Sequence, residues 1–291
     1  MKLNSSSILK KVLAAVVLLS CLQFNAFAQK AEEVQSNNLW AKDTKVDGKL
    51  NEWGETLKAN NKSTNLSYTI ANDGKNIYLA ISTKDLTTKA KIIAGGITLT
   101  INPDGKKKSK EGFSLTYPVI NRRQGFQGTR PAGGGGQRIN FQDMTQVQRD
   151  SMAIAQGRAQ LAAAKDIKVF GFSGITDSLI SIYNEYGIKT VAKLDDAGIF
   201  NYELAIPLAL MNLTVDNAQE FSYNIKLNGL QINFGGGDGG NRGGGNGGGG
   251  NVIRVQGGGG NFGGGRPGNN IDFQSLMTPT DLWGKYTLAK K

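Results

Sequence analysis

Residues 65–82 read NLSYTIA, NDGK and NIYLAIS, two alternating apolar runs on either side of a short polar turn. Asp and Gly tolerate the positive φ angles of a two-residue hairpin turn, so Asp73-Gly74 is expected at its centre. Pairing outward from that turn sets Ile70 opposite Ile77 and Tyr68 opposite Leu79, and a slip by one residue destroys the match. The stretch therefore predicts an antiparallel hairpin with one buried face.

A second hairpin is predicted by residues 97–117. Apolar residues alternate with threonines over residues 97–101 and return in alternation over 113–117. Asn102-Pro103-Asp104-Gly105 fits a type I turn, with proline at the second position and glycine last. Four lysines, Lys106, Lys107, Lys108 and Lys110, extend this loop. They are typical of a solvated hairpin tip, and contact with a phosphate or an acidic glycan is the alternative.

Alternating apolar residues predict further strands along the rest of the chain. These strands are expected at Ile167–Ile175, Leu179–Tyr186, Ile188–Leu194, Ile199–Ile206, Phe221–Leu227 and Trp283–Leu288. One helix interrupts them over residues 143–164, where Asp143 and Gln146 have the spacing of a capping box. Pro207 is expected to start a short helical turn through Met211. The pattern predicts an all-β fold with one inserted helix.

Two glycine-rich tracts, residues 122–138 and 234–268, lie between predicted strands. Such segments bury too little apolar surface to offset the entropy of ordering, so both are expected to be mobile. Strands on either side indicate long loops inside one domain, residues 29–291, rather than linkers between two.

Residues 1–28 have the pattern of an export signal. Three lysines precede an apolar run of about a dozen residues, too short to span a bilayer, and Ala26-Phe27-Ala28 offers a cleavage site before Gln29. The mature chain is then expected without a transmembrane segment, secreted or periplasmic. Leu18-Leu19-Ser20-Cys21 also resembles a bacterial lipobox, and lipidation of Cys21 would give a membrane-anchored lipoprotein.

Composition excludes several kinds of chemistry. The 291 residues contain no histidine and one cysteine, so a Ser-His-Asp triad, histidine-bound zinc and histidine-bound haem are excluded. A glycosidase built on two carboxylates remains, for which Glu52, Glu185 and Glu203 are the residues to test. The net charge of +11 is explained by contact with anionic glycans, by contact with a bacterial surface, or by solubility alone. For an exported chain, nucleic acid is not expected as a partner.

Three segments, in order, resemble family 9 carbohydrate-binding modules and the wider DOMON-like superfamily. They are Val46–Trp53 (VDGKLNEW), Asn72–Leu79 (NDGKNIYL) and Phe200–Leu208 (FNYELAIPL). The likeness extends over about residues 40–230 and implies an antiparallel immunoglobulin-like β-sandwich that binds sugar without catalysis. In that family Glu203 and its neighbours belong to the fold signature, and Trp53 is expected to be a core anchor rather than a ligand platform.

The resemblance also implies site residues. Family members hold a sugar between two exposed aromatic rings, but residues 83–96 of this chain contain no aromatic residue. Trp40, Tyr186 and Trp283 are the candidate aromatic residues, with structural roles as the alternative. Some members bind structural calcium, for which Asp47, Asp85 and Asp104 are candidate ligands unless they only form turns.

The leading hypothesis is therefore a secreted, non-catalytic carbohydrate-binding protein whose partner is a carbohydrate or cell-surface glycan. An interaction or scaffold protein that uses the same fold without a sugar site is the alternative, with another secreted or surface protein as its partner. A carboxylate-only glycosidase ranks below both, because the sequence contains no close acidic pair of the required kind.

Overall fold

The computed structural model describes residues 32–108, 111–120, 144–217, 219–230 and 273–291. The expected export signal with Cys21 and both glycine-rich tracts lie outside these residues. Lys110 of the lysine loop also lies outside them.

Strands account for most of the regular structure in the described residues. They are β1 (Ala59–Asn61), β2 (Leu66–Asn72), β3 (Asn76–Thr83), β4 (Ile97–Asn102), β5 (Phe113–Val119), β6 (Asp166–Phe170), β7 (Leu179–Ser181), β8 (Lys189–Leu194), β9 (Phe200–Pro207), β10 (Glu220–Leu227) and β11 (Thr280–Thr287). The helices are α1 (Leu86–Gly95), α2 (Gln146–Ala163) and α3 (Phe273–Met277), with 3₁₀ turns at Asn51–Trp53 and Leu208–Met211.

These strands form two antiparallel sheets. Sheet A has the order β1-β2-β3-β9-β8, and sheet B has the order β11-β10-β4-β5-β6-β7. The inward-facing residues of both sheets make a shared core, in which Tyr68 of β2 and Tyr223 of β10 join their hydroxyls at 3.0 Å. The predicted all-β antiparallel sandwich is confirmed.

The first hairpin forms, but its predicted register is wrong by two residues. Ile70 pairs with Leu79 and Tyr68 with Ile81, so Gly74 and Lys75 occupy the centre of the turn. The Asp73 carboxylate fixes this turn by accepting from the backbone nitrogens of Lys75 (2.7 Å) and Asn76 (2.6 Å). Gly74 has no positive φ. A shift by an even number keeps every side chain on its face, so the alternation does not distinguish the two registers.

The predicted second hairpin is present. Ile97 pairs with Tyr117, Leu99 with Leu115 and Ile101 with Phe113. In its turn the Gly105 nitrogen donates to the Asn102 carbonyl at 3.1 Å, and Gly105 has a φ of 70°. The predicted helical turn after Pro207 is also present, at Leu208–Met211.

The helices differ from the prediction in number and start. Helix α2 begins after Thr145, whose hydroxyl and Gln148 form the capping box, so the predicted Asp143–Gln146 box is wrong. Its Gly157 is buried against β8, where a Cβ would lie 2.6 Å from Leu194 Cδ1. Helix α1 was not predicted; Asp85 caps it by accepting from the Thr88 nitrogen at 2.7 Å. None of the helices in the described ranges is long and apolar enough to cross a bilayer.

Two predicted strands are shorter than expected. Strand β6 ends at Phe170 rather than Ile175, and β7 ends at Ser181 rather than Tyr186. Gly171 and Gly174 have φ angles of 83° and 76°, which turn the chain out of the sheet directly after β6.

Candidate functional site

The outer face of sheet A is covered by residues 39–53, here called the strap. Leu39, Ala41, Val46 and Trp53 of the strap pack on Ala71, Tyr78 and Ala205 of the sheet. The start of the strap is held by Tyr286 of β11, whose hydroxyl donates to the Leu39 carbonyl at 3.0 Å. At its other end the Trp53 ring meets the Tyr78 ring edge-on, with centroids 6.4 Å apart.

Glu203 of β9 fixes the strap from beneath. Its Oε1 accepts from Trp53 Nε1 at 2.8 Å, and its Oε2 accepts from the backbone nitrogens of Gly48 (2.7 Å) and Asp47 (2.9 Å). The residue is 1% exposed. Burial raises the pKa of the Glu203 carboxyl, while the three hydrogen bonds act in the opposite direction. Both oxygens are occupied and shielded from a substrate, so this geometry gives Glu203 a structural role.

The other two carboxylates considered for catalysis are placed differently. Glu52 lies exposed in the 3₁₀ turn of the strap, and Glu185 lies exposed before β8. Neither shares hydrogen-bond partners with Glu203 in the described residues. Trp53 is partly buried and packs in the small cluster between the strap and the outer face of sheet A, not in the core between the two sheets.

Trp283 lies in the wall of an open cavity of about 500 Å³, here called the tryptophan cavity. It stands on the outward face of β11, the edge strand of sheet B, and is half-buried. Polar side chains surround it: Ser36, Asn38, Lys107, Glu220 and Lys285.

The polar wall of the tryptophan cavity combines a fixed ion pair with free donors. Lys285 Nζ meets Glu220 Oε1 at 2.6 Å, and both side chains are about half-exposed. Asn38 accepts from the Thr287 nitrogen at 3.4 Å through its carbonyl oxygen. Its amide nitrogen has no partner in the part of the chain that the structure describes. The arrangement offers one aromatic face, a carboxylate and several N–H donors to a ligand.

The segment that carries Ser36 and Asn38 is held by Gln35. The Gln35 side chain accepts from the Ile70 nitrogen at 2.8 Å and donates to the Ile70 carbonyl at 2.7 Å. It therefore copies a backbone pairing along β2 and closes the sandwich between the two sheets. The tryptophan cavity is built on this closed edge.

The remaining aromatic candidates are elsewhere. Trp40 is half-buried beside the first hairpin turn, where a Cβ on Gly74 would lie 3.8 Å from its Cη2. Tyr186 is partly buried against the main core. Neither lines the tryptophan cavity, so the structure does not bring Trp40, Tyr186 and Trp283 together.

A second cavity of about 500 Å³, the lysine cavity, opens between the strap and sheet A. Its floor contains Ala205 and Pro207 of β9, beside Tyr78 of β3. Its polar lining is made by Thr44, Lys45, Asn76 and Lys189. No carboxylate side chain is among its lining residues.

The calcium candidates do not form one site. Asp47 accepts from the Lys49 nitrogen at 2.8 Å, Asp85 caps α1, and Asp104 lies 4.0 Å from Lys106 Nζ in the second hairpin turn. Among the described residues, no group of three or more His, Cys, Asp or Glu side chains is placed to hold a metal ion. The three aspartates therefore lie in three different turns or caps, each engaged in local contacts.

Three exposed apolar side chains near β7 were not singled out from the sequence. Phe170 is 62% exposed, Leu179 49% and Tyr183 78%. Phe170 and Leu179 are diagonal neighbours on the outward face, because Leu179 pairs with Lys168. The signal was available in Asp166-Ile167-Lys168-Val169-Phe170, where an aromatic residue takes an outward position of an alternating strand.

Comparison with known proteins gives little beyond these observations. No protein family matches the sequence, and no curated protein matches it. A solved structure of a family 9 carbohydrate-binding module from Caldicellulosiruptor kristjanssonii, in complex with glucose, is similar with a TM-score of 0.32 and 8% identity. The similarity covers 67% of this chain and 78% of that one. A TM-score this low assigns neither fold nor site; the fold described above rests on this chain's own strands.

Proposed function

We propose that this chain is a non-catalytic carbohydrate-binding protein and that the tryptophan cavity is its sugar site. The observation that carries the proposal is the half-buried Trp283 beside the Glu220–Lys285 pair. The C–H face of a sugar ring stacks on an indole, while its hydroxyls need nearby acceptors and donors. Glu220 supplies the acceptors, and Asn38, Lys107 and Lys285 supply the donors. Glu203, the buried signature carboxylate, has no part in this site.

The rigid setting of the cavity supports the same proposal. Trp283 and Lys285 stand two residues apart on β11, which pairs with β10 along its whole length. A preformed site on paired strands loses little entropy when it binds a ligand.

The test is a glycan array followed by calorimetric titration of any glycan that binds. Trp283→Ala is expected to weaken binding by about tenfold or more, because it removes the aromatic face on which the sugar ring stacks, and a loss of about 1.4 kcal/mol is a factor of ten in affinity. Trp40→Ala is the matched control, since it removes a half-buried tryptophan outside the cavity and is expected to leave binding unchanged. A glycan held equally well by the Trp283 variant would refute this site. Failure of every glycan to bind the parent protein would refute the function.

A second candidate function, binding to another protein, is favoured by the exposed apolar side chains near β7. Grouped exposed apolar residues next to an edge strand are typical of docking surfaces. Replacement of Phe170 and Leu179 by serine is expected to abolish binding to the protein partner. Val147→Ser, which removes an exposed apolar side chain from α2, is the control. If the Phe170 and Leu179 variant loses glycan binding but still binds every protein that the parent binds, this candidate is contradicted.

We further propose that the chain is exported and that its mature form begins at Gln29. The basic start, short apolar run and Ala26-Phe27-Ala28 support this proposal. Mass spectrometry of the exported protein is expected to give an N-terminus at Gln29. An acylated Cys21 would instead show a lipoprotein.

A further inference from the structure

We propose that the lysine cavity is an oxyanion site that binds a carboxylate or sulfate group, either free in solution or carried on an acidic saccharide. It is separate from the tryptophan cavity and does not depend on the proposed sugar site.

The register of sheet A creates the space. On the outer face, Lys189 of β8 is paired with Ala205 of β9, and Ala205 is paired with Tyr78 of β3. Neighbouring strands lie about 4.8 Å apart, so Lys189 and Tyr78 stand about 10 Å from each other across a small alanine. Gly187, which has no side chain, also lines this part of the cavity. A trough remains between a lysine and a tyrosine because the residue between them is short.

The strap covers one side of this trough. Val46 packs with Ala205 and Tyr78, which brings Lys45 and Thr44 to the rim. Lys45 and Lys189 therefore line the cavity from different elements, one from the strap and one from β8. Neither lysine forms an ion pair within the described residues.

Nearby negative charge is already engaged. Asp73, the closest acidic residue to Asn76 and Tyr78, accepts from Lys75 and Asn76 nitrogens through Oδ1 and from the Tyr78 hydroxyl at 2.7 Å through Oδ2. Burial, followed by this hydrogen bond to Asp73, raises the pKa of Tyr78 to about 12, so its hydroxyl stays neutral. Glu185 is exposed and does not line the cavity.

The lining thus offers two unpaired cations with a hydroxyl and an amide, and no acidic side chain. Hydrogen bonds from a cation to an oxyanion are short and about twice as strong as neutral ones. Two lysines compensate the charge of one carboxylate or sulfate, while Thr44 and Asn76 supply directed donors. A neutral sugar can accept hydrogen bonds from the two ammonium groups but does not compensate their charge, so an oxyanion is favoured.

The experiment uses the full chain and three probes: sodium sulfate, sodium glucuronate and glucose. Binding is followed by calorimetry and by amide chemical shifts of residues 44–46 and 187–189. We expect sulfate or glucuronate to bind with one-to-one stoichiometry and to shift these amides, and glucose not to. Glucuronate binding much more tightly than sulfate would assign the group to a saccharide; equal binding would assign it to the free anion.

The variant Lys45→Gln/Lys189→Gln is expected to weaken anion binding by at least about tenfold, since each lysine gives one charge-assisted contact. Lys84→Gln/Lys168→Gln is the matched control, because it removes the same charge from two exposed lysines away from the cavity. Equal losses in both variants would overturn the proposal by showing a general charge effect. Absence of binding by either anion would also overturn it. Trp283→Ala is expected to leave anion binding intact, which separates this result from that of the sugar site.

Discussion

Replacement of Glu203 by alanine removes the acceptor of three N–H groups at once. Gly48 N is buried, whereas Trp53 Nε1 and Asp47 N are only partly buried. A buried donor left without an acceptor costs about 1–3 kcal/mol. Water can reach the other two donors, so each of them contributes less to the loss of unfolding free energy. We therefore expect Glu203→Ala to lower the free energy of unfolding by about 3–5 kcal/mol.

The assay is thermal unfolding followed by circular dichroism. For a domain of this size, each kcal/mol shifts Tm by about 2–4 °C, so the expected decrease is about 6–20 °C. Glu203→Gln keeps one carbonyl acceptor, and its loss is expected to be about half as large. Glu111→Ala is the control, because its half-exposed pair with Lys108, at 3.2 Å, is worth less than about 1 kcal/mol.

The strap gives this prediction a second readout. Loss of the Glu203 contacts is expected to release Trp53 and to move its fluorescence toward longer wavelengths before the sheets unfold. A Tm for Glu203→Ala within about 2 °C of the parent, with unchanged fluorescence, would refute the structural role of Glu203.

Two further predictions concern the first turn and the core. Although burial alone would raise the pKa of Asp73, the hydrogen bonds from Asn76, Lys75 and Tyr78 together lower it in the folded protein. This carboxylate therefore stabilises the fold at neutral pH, and the contribution is lost as the pH falls below about 4. The Tm difference between the parent and Asp73→Asn is expected to narrow from pH 7 to pH 3; a constant difference would contradict this. Gly284→Ala places a methyl group into the Tyr223 ring and is expected to cost about 1–3 kcal/mol in urea unfolding. Gly74→Ala, with only Trp40 nearby at 3.8 Å, is its control, and equal losses would contradict the packing argument.

Turn chemistry limits how far the register of each hairpin can be predicted. In the second hairpin, residues 102–112 separate the paired residues Ile101 and Phe113, so the type I turn at residues 102–105 begins the loop but does not set the strand register. In the first, the Asp73 side chain binds the backbone two and three residues ahead. These hydrogen bonds place the centre of the turn one position later than predicted, which shifts the strand register by two residues. The apolar alternation is the same in both registers, so only the turn distinguishes them.

Helix α1 was missed for a different reason. In its sequence, LTTKAKIIAG, the first two turns contain only Leu86, Ala90 and Ile92 as apolar residues, and Leu86 is exposed, so the periodic signal is weak. The informative features were the ends: Asp85 three residues before Thr88, and glycine at 95 and 96. Capping residues here outweigh the threonines, which favour strands.

The candidate sites could be predicted only in part. Trp283 is one of three candidate aromatic residues that follow from the resemblance to sugar-binding modules, and the sequence does not separate it from Trp40 and Tyr186. Its partners Ser36 and Asn38 come from a segment without periodicity, about 250 positions away. The lysine cavity depends on Ala205 being small between two larger neighbours, and pairing across three strands cannot be read from one local pattern.

The strap is tied to parts of the chain that are made long after it. Gly48 meets Glu203 across 155 positions, and Leu39 meets Tyr286 across 247. A ribosome delivers the chain from its amino end, so residues 39–53 can pair with Asn72 of β2 early but lack the Glu203 and Tyr286 contacts until β9 and β11 have been made. Contacts between residues so far apart in sequence also slow folding. A nascent chain that stops before β11 would therefore lack the Tyr286 bond to Leu39, and the start of the strap would be held by β2 alone.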